Sequence, residues 1–499
     1  MFNRCLSLCL VLVGPLAARP FTVVAYNVEN LFDVDGVAVY DEYQPSVYTP
    51  AHLRTKLDHI AQVVARIGDD GRGPDIILFD EIEVDRTPES RVDDPAAFLR
   101  RYAGTTFEKM LTAPLTPEEA GLPAEAWLLK AFADRGLAGY TVVAGSDSPA
   151  TTYEDGKARA IKCVVFTRFP VKAVRQHPIP NARNILEVLL DVDGCPLTVF
   201  ANHWKSGAGD PATEKIRAAD ARVLRARLDE ILQADPHADV IIGGDFNSQY
   251  NQKQRYPAMQ ETGLNDVLRA QGNVRAIHGP QHDLYNLWFE LPAAQRGSDV
   301  YHGEWGTLIQ LIVSRGLYDY RGVQYVDHSF GVAKFAGLNM TAEGTPRRWT
   351  FDGPAGDGYS DHFPVYARFV TVTDNAPDRW LTLSHPADGA TPADGPRVAY
   401  AAVDLEKTAL TATQIPVGAN LRDGSFNGKL FHVEGRALVG PHLAVTFQGG
   451  DYEVYAPDPG LREQLRAAWR DGATVRFYGE LGQYRGRWQF VVRDASWAK

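Results

Sequence analysis

Cysteine and methionine are scarce in this chain, four of each in 499 residues, and there is neither a CxxC pair nor a Cys/His cluster, which argues against a structural zinc site. Positive charge is also short. The 51 Lys and Arg stand against 62 Asp and Glu, a formal net charge of −11, so the protein as a whole carries no basic field to draw in polyanions. A polyanion would have to be gripped locally, by a few Arg and Lys and a bound cation, with affinity falling as salt rises. Long apolar runs are missing as well: beyond the N-terminus no stretch approaches the ~20 residues a membrane helix needs, so no membrane anchor is expected.

What is present is ample apolar material, 45% hydrophobic and 10% aromatic residues, in a chain too long for one ordinary domain. The N-terminus reads MFNRCLSLCLVLVGPLAARP, with Arg4, an apolar run from Cys5 to Val13 and small residues at Ala17 and Ala18. That is the pattern of a signal peptide over 1–18, and it predicts a secreted or periplasmic protein. The mature chain then keeps Cys163 and Cys195, either as one disulfide or as two buried thiols.

From Phe21 to about Val370 strands alternate with helices and long polar loops. Apolar or β-branched runs bounded by Gly, Pro or Asp predict strands at Phe21–Tyr26, Asp75–Phe79, Ile161–Thr167, Ile185–Val192, Leu197–Ala201, Asp239–Ile242, Leu308–Val313 and Phe363–Val370. Helical spacing predicts amphipathic cover over Leu53–Ile67 and Ala212–Gln233, to which no function is assigned. The insert from about Arg86 to Gly139 is either a substrate-facing lid or a cover for the sheet. The composition of 373–420, rich in Pro, Ala, Gly and Asp, predicts a linker. Short strands return over 421–499, with a helix near Leu461–Arg470 between the third and the fourth, the order of an OB-type barrel.

Several strands of the larger domain end in the same kind of residue. FTVVAY runs into Asn27 and Glu29, DIILF into Asp80, Glu81 and Glu83, LTVFA into Asn202, His203 and Lys205, and DVIIGG into Asp245 and Asn247. GYSDHFPV places Asp361 and His362 ahead of the last strand. Residues two apart on an extended chain share a face, so Asp245 with Asn247, and Glu81 with Glu83, are expected in one cleft. Hard oxygen ligands beside histidines suit Mg²⁺, with Mn²⁺ or Ca²⁺ as alternatives, and phosphodiester hydrolysis needs that combination of cation, base and proton donor. Gly243 and Gly244 fit a close backbone approach at a crowded site.

The order YNVENLFD, DEIE, NARNILEV, ANHWKS, GGDFN and GYSDHFPV resembles the endonuclease/exonuclease/phosphatase, or DNase-I-like, family over roughly Phe21 to Val370. The resemblance implies an α/β fold of two packed, mostly antiparallel sheets flanked by helices. It implies Asn27 and Glu81 at the metal with Asp361 close by, and Arg183 on the scissile phosphate, a role that suits a bidentate guanidinium. His203 is then acid or phosphate stabiliser, Asp245 and Asn247 orient water and phosphate, and His362 is the general base. Asn202 and Lys205 fall on the substrate side. Two positions depart from the family pattern. Asp80 stands where Gln is common, and in GEWGTLIQLIVSRGL Ile309 stands where the family has the Asp that orients the base histidine. Losing such an acid costs about 10⁴-fold in the analogous serine-protease triad, so either activity is weakened or another acid substitutes.

In RFYGELGQYRGRWQFVVR, aromatics including Tyr484 and Trp488 interleave with Arg476, Arg485, Arg487 and Arg493. They either stack single-stranded nucleic acid or fill a small barrel whose wet face carries the arginines. Three functions follow from these readings: a metal-dependent nuclease acting on DNA or RNA, a phosphodiesterase or phosphatase on a lipid or sugar phosphate, and a nucleic-acid-binding protein weakened in turnover by Ile309.

Overall fold

The computed structural model describes residues 20–372 and 392–498, apart from 69–70, 88–91, 113, 146–157, 393, 423–425 and 485. The predicted signal segment 1–18, Arg485 and the first half of the predicted linker lie outside the described residues. Among the described residues, no helix is long and apolar enough to cross a membrane.

Two sheets pack face to face. In the first the strand order is Val323–Tyr325, Val365–Thr371, Pro20–Leu31, Ile76–Glu83, Ile161–Thr167, Thr141–Ala144. In the second it is Val171–His177, Ile185–Val192, Cys195–His203, Val240–Asp245, Ile309–Val313, Leu284–Asn286, Ala270–Gln271. Most neighbours are antiparallel, but each sheet has a parallel pair at its centre: Pro20–Leu31 beside Ile76–Glu83, and Cys195–His203 beside Val240–Asp245. Alternation explains the layers. Along the first strand Phe21, Val23 and Ala25 face the second sheet, while Val24, Tyr26 and Val28 face the helices outside.

The outer face of the first sheet is covered by the helix Pro50–Ala65, which starts with proline in its first turn and buries Leu53, Leu57, Ile60, Ala61 and Val64. Beside it the helix Ala124–Asp134 buries Trp127, Leu128 and Phe132. The described residues of the 86–139 insert thus serve as cover for the sheet. The helix Pro211–Ala234 covers the second sheet, and its buried face is Ala221, Leu224, Leu228 and Leu232, with Ile216, Val223 and Ile231 only partly covered. Cys163 and Cys195 are both thiols, and Cys163 Sγ donates to Asp80 Oδ1 at 3.3 Å.

The C-terminal strands Leu430–Val439, Leu443–Phe447, Gly450–Tyr455, Thr474–Tyr484 and Arg487–Val491 close into a barrel in which the first strand pairs with the fourth and the third with the fifth. The helix Pro459–Ala468 lies between the third and fourth strands, and the whole fits an OB-type domain. The composition of 373–420 suggested a linker, but its described second half is part of the barrel. Tyr400, Val403, Leu405, Ala409 and Ile415 pack on the barrel core, and the Trp497 indole donates to the Tyr400 carbonyl at 3.1 Å. Five apolar residues spread over sixteen positions show no helix or strand period, so nothing in their spacing marks them as a packing face.

Candidate active site

The two parallel pairs decide where chemistry can occur. Parallel strands end on the same side, and in register Asn27 stands beside Asp80 in one sheet and His203 beside Asp245 in the other. Both strands of the first pair lose register just there, between Asn27 and Leu31 and between Phe79 and Ile82. These bulges re-aim side chains off the sheet plane. Glu29, Glu81 and Asn247 all adopt left-handed backbone, with φ of 51°, 65° and 46°, a conformation costing roughly 1–3 kcal/mol per non-glycine residue that tends to persist at functional sites. Gly244 permits a close approach: at φ 126° a Cβ would meet the Asn202 carbonyl oxygen at 2.0 Å.

Asp245 is the centre. Its Oδ2 accepts from Asn27 Nδ2 at 3.0 Å and lies 3.8 Å from His203 Nε2 and 3.9 Å from His362 Nε2. Its Oδ1 accepts the Asn247 backbone N–H at 2.8 Å, and its own N–H donates to Asp80 Oδ2 at 2.7 Å. Glu81 Oε1 accepts from Asn27 Nδ2 at 3.0 Å and stands 3.7 Å from His203. Asn27 thus presents its NH₂ to two carboxylates, while its oxygen takes the Glu29 N–H at 2.9 Å. Asn247 Nδ2 and Arg183 both donate to the Trp204 carbonyl, at 3.1 and 3.0 Å. Asp361, half-exposed toward the cleft, accepts from His362 Nδ1 at 2.8 Å.

The electrostatics show too many carboxylates for the cations present. Burial raises Glu81, and Asp361 raises it further. Burial and then Asp245 push Asp80 well above the usual carboxylate range. His362 would be lowered by burial, yet Asp361, Asp245 and Asp299 together hold it well above an ordinary histidine, and the same contact keeps Asp361 down at about 2 against its burial. His203 goes the other way. Burial, then Arg183 and His362, depress it well below 6.5, so it is neutral near pH 7.

This donor set fits a divalent cation. Glu81, His203 and Asp245 each offer one ligand atom, all within 4.8 Å of one another, and His203 Nδ1, His362 Nε2 and Arg183 Nε are buried without hydrogen-bond partners. A hard cation among repelling carboxylates relieves the repulsion.

A family model described as "Endonuclease/Exonuclease/phosphatase family" matches residues 158–371. Over that segment the chain is similar to the family. Its members are generally metal-dependent phosphoesterases or nucleases. Solved structures similar to the chain include an endonuclease/exonuclease/phosphatase from Beutenbergia cavernae (16% identity, 71% of this chain and 72% of that one, TM-score 0.42). Others are a family protein from Bacteroides thetaiotaomicron (15%, 72% and 98%, 0.39) and the human Nocturnin catalytic domain with bound sulfate (15%, 70% and 94%, 0.35). A search among curated proteins returns no match.

The structure gathers Asn27, Glu81, Arg183, His203, Asp245, Asn247, Asp361 and His362 at one place. Asn202 is not free to meet substrate: its amide donates to the Phe200 carbonyl at 3.2 Å and accepts from the Trp204 indole at 3.3 Å, bracing the loop from beneath. Lys205 is half-buried, its carbonyl tied to Arg217 at 2.8 Å. Glu81 and Glu83 part company, because the bulge between them breaks the two-residue period; Glu83 accepts the Asp33 N–H at 2.8 Å beside Asp35 and Asp85.

Two residues were missed from sequence. Lys56 lies on the apolar stripe of the helix Pro50–Ala65, fully buried, donating to the Glu29 and Tyr359 carbonyls at 3.0 Å each. It ties the NVEN and SDH loops together, and burial lowers it to about 8. A lysine at i+3 from Leu53 on a buried face was the available signal. The other is Asp299, on the hairpin Asp299–Tyr301/Glu304–Gly306.

The site opens into a cleft of about 2370 Å³ with the barrel as its far wall. Asp361, His362 and Asn247 line one side, Lys429, Tyr455 and Gln489 the other. Its lining holds eleven Asp and Glu against six Arg and Lys, and four of those cations are matched within 3 Å by a carboxylate: Arg255 by Glu304, Arg347 by Asp357, Arg348 by Glu29 and Arg493 by Glu480. Trp488 is half-buried against the barrel core, Tyr484 is exposed, and neither lines the cleft.

Proposed function

We propose that this chain hydrolyses phosphodiester bonds of nucleic acid with a divalent cation, Mg²⁺ by donor chemistry and Mn²⁺ or Ca²⁺ as alternatives. The observation that carries the reading is the convergence of Glu81, His203, Asp245 and His362 from four separate strand ends, with His203 Nε2 and the unpartnered His362 Nε2 both facing Asp245. When bound, the cation neutralises phosphate oxygens and acidifies water.

The chain's own residues do the rest. Arg183, anchored on the Trp204 carbonyl, keeps its Nε free for a phosphate oxygen. Neutral His203 donates a hydrogen bond without bringing charge. His362 exchanges a proton at Nε2 with the attacking water or the leaving oxygen. Tyr301, 73% exposed and stacked on His302 with ring centroids 4.0 Å apart, stands on the cleft wall as a face for a nucleobase. The basic and apolar N-terminal pattern supports export.

The acidic cleft supports a second reading, a small phosphodiester such as a lipid or sugar phosphate, since an extended polyanion meets few free cations there. The deciding experiment offers double-stranded DNA, single-stranded DNA, RNA and a small aryl phosphodiester to the mature protein, with and without chelator. Chelator-sensitive cleavage of a polymer, abolished in Asn247→Ala and His203→Ala, supports the nuclease. Cleavage of the aryl ester alone favours the small substrate, and no cleavage of any substrate overturns both.

A further inference from the structure

The base histidine of this site has Ile309, a fully buried apolar residue, where the family pattern has an orienting acid. No carboxylate lies near Ile309 in sequence, but folding supplies one. The backbone of Asp299 forms an antiparallel bridge with His362, and the Phe363 N–H donates to the Ser298 carbonyl at 2.7 Å, so the hairpin is fastened to the strand that carries the base. The Asp299 side chain is buried and fixed: Oδ1 accepts the Leu308 N–H at 3.1 Å and the Ser298 hydroxyl at 3.0 Å.

Room for the carboxylate comes from its cross-strand partner. Gly306 pairs with Asp299, and a Cβ there would meet Asp299 Oδ2 at 2.1 Å. No left-handed backbone calls for glycine at 306; the space does. Resting on the reading of the site as a hydrolase, we infer that Asp299 is the positioning residue for His362, an acid moved from the strand Ile309–Val313 to the adjacent hairpin.

The groups facing His362 are Asp361 on its own segment, Asp245 and His203 on the neighbouring sheet and Asp299 on the hairpin. Asp361 holds Nδ1 directly, but it lies half in the cleft, where the family pattern gives it to the cation. Asp245 is shared with Asn27 and Asn247. Asp299 is committed to neither cation nor substrate, and as the direct cross-strand partner of His362 in that bridge it lies on the same face as the ring.

The test is Asp299→Asn, which preserves shape and both hydrogen bonds at Oδ1, together with Gly306→Ala, which displaces the carboxylate without changing it. Melting temperature checks that each variant folds. Histidine-selective ¹⁵N labelling, with His362→Gln to assign the signal, reads the imidazole directly, and kcat and KM are measured on the aryl phosphodiester. We expect the His362 nitrogen shifts to change in both variants and kcat to fall about 10²-fold, the scale of a misplaced catalytic group, with KM within about twofold. Unchanged His362 shifts, or wild-type kcat in folded Asp299→Asn, overturns the assignment. Should the wild-type protein cleave nothing, the hydrolase reading fails, and the nitrogen shifts alone decide whether Asp299 controls His362.

Discussion

The larger domain and the barrel use charge in opposite ways. In the barrel, Arg476 pairs with Glu434, Arg487 with Glu453 and Arg493 with Glu480, the first two in the open, while Phe431, Phe447, Phe477 and Phe490 build an aromatic centre. At the strand ends of the larger domain, Asp80, Asp245 and Asp299 are buried beside the partly buried Glu81, together with two unpartnered histidine nitrogens. Exposed matched pairs cost and gain little. Buried like charges are expensive, so they persist where something must bind between them. The contrast assigns chemistry to the sheets, and to the barrel the task of walling the cleft.

The largest effect expected from this contrast is at His203 or Asn247. Alanine at either should lower kcat by about 10²–10⁴-fold with little change in melting temperature, measured under saturating metal; a fall in stability that matched the loss of activity would reduce the site to scaffold. Next comes Asp220, fully buried behind the Lys205 loop, where burial lifts the carboxyl to about 7 despite the Lys205 N–H and Arg183. Its folded value exceeds the unfolded one, so the stability it contributes is present below about pH 4 and lost as pH rises through 7. Asp220→Asn should therefore flatten that slope by on the order of 2–4 kcal/mol, read from denaturant midpoints at pH 4 and 8; parallel slopes would refute it.

Smaller again is Tyr301→Ala. It should raise KM for single-stranded substrate about tenfold, the scale of one stacked base, and leave the aryl ester untouched, whereas Tyr484→Ala should change neither. Equal losses at the two tyrosines would return the barrel to substrate binding. Smallest is Arg476→Ala on the barrel surface, for which no shift in melting temperature is expected.

Much of the architecture was legible because alternation of two and spacing of 3.6 record which face of an element is covered. The predicted strands from Phe21–Tyr26 to Phe363–Val370 reappear within a few residues, as do both predicted helices. The linker assignment missed Tyr400, Ala409 and Ile415, whose apolar contacts follow no period because they sit on loops and single turns. The short strand Val171–His177, mostly exposed, carried no apolar alternation to read.

By itself the sequence determined which residues stand at strand ends, and therefore the roster Asn27, Glu81, His203, Asp245, Asn247, Asp361 and His362. Tertiary structure alone decided which of them meet. The bulge at Glu81 separates it from Glu83, the hydrogen bonds of Asn202 remove it from the substrate side, Lys56 enters from a covering helix, and Asp299 arrives beside His362 from a hairpin. The physical reason is that periodicity is a property of one element, whereas a bulge, a cross-strand glycine or a bridge between segments exists only once two elements are packed against each other.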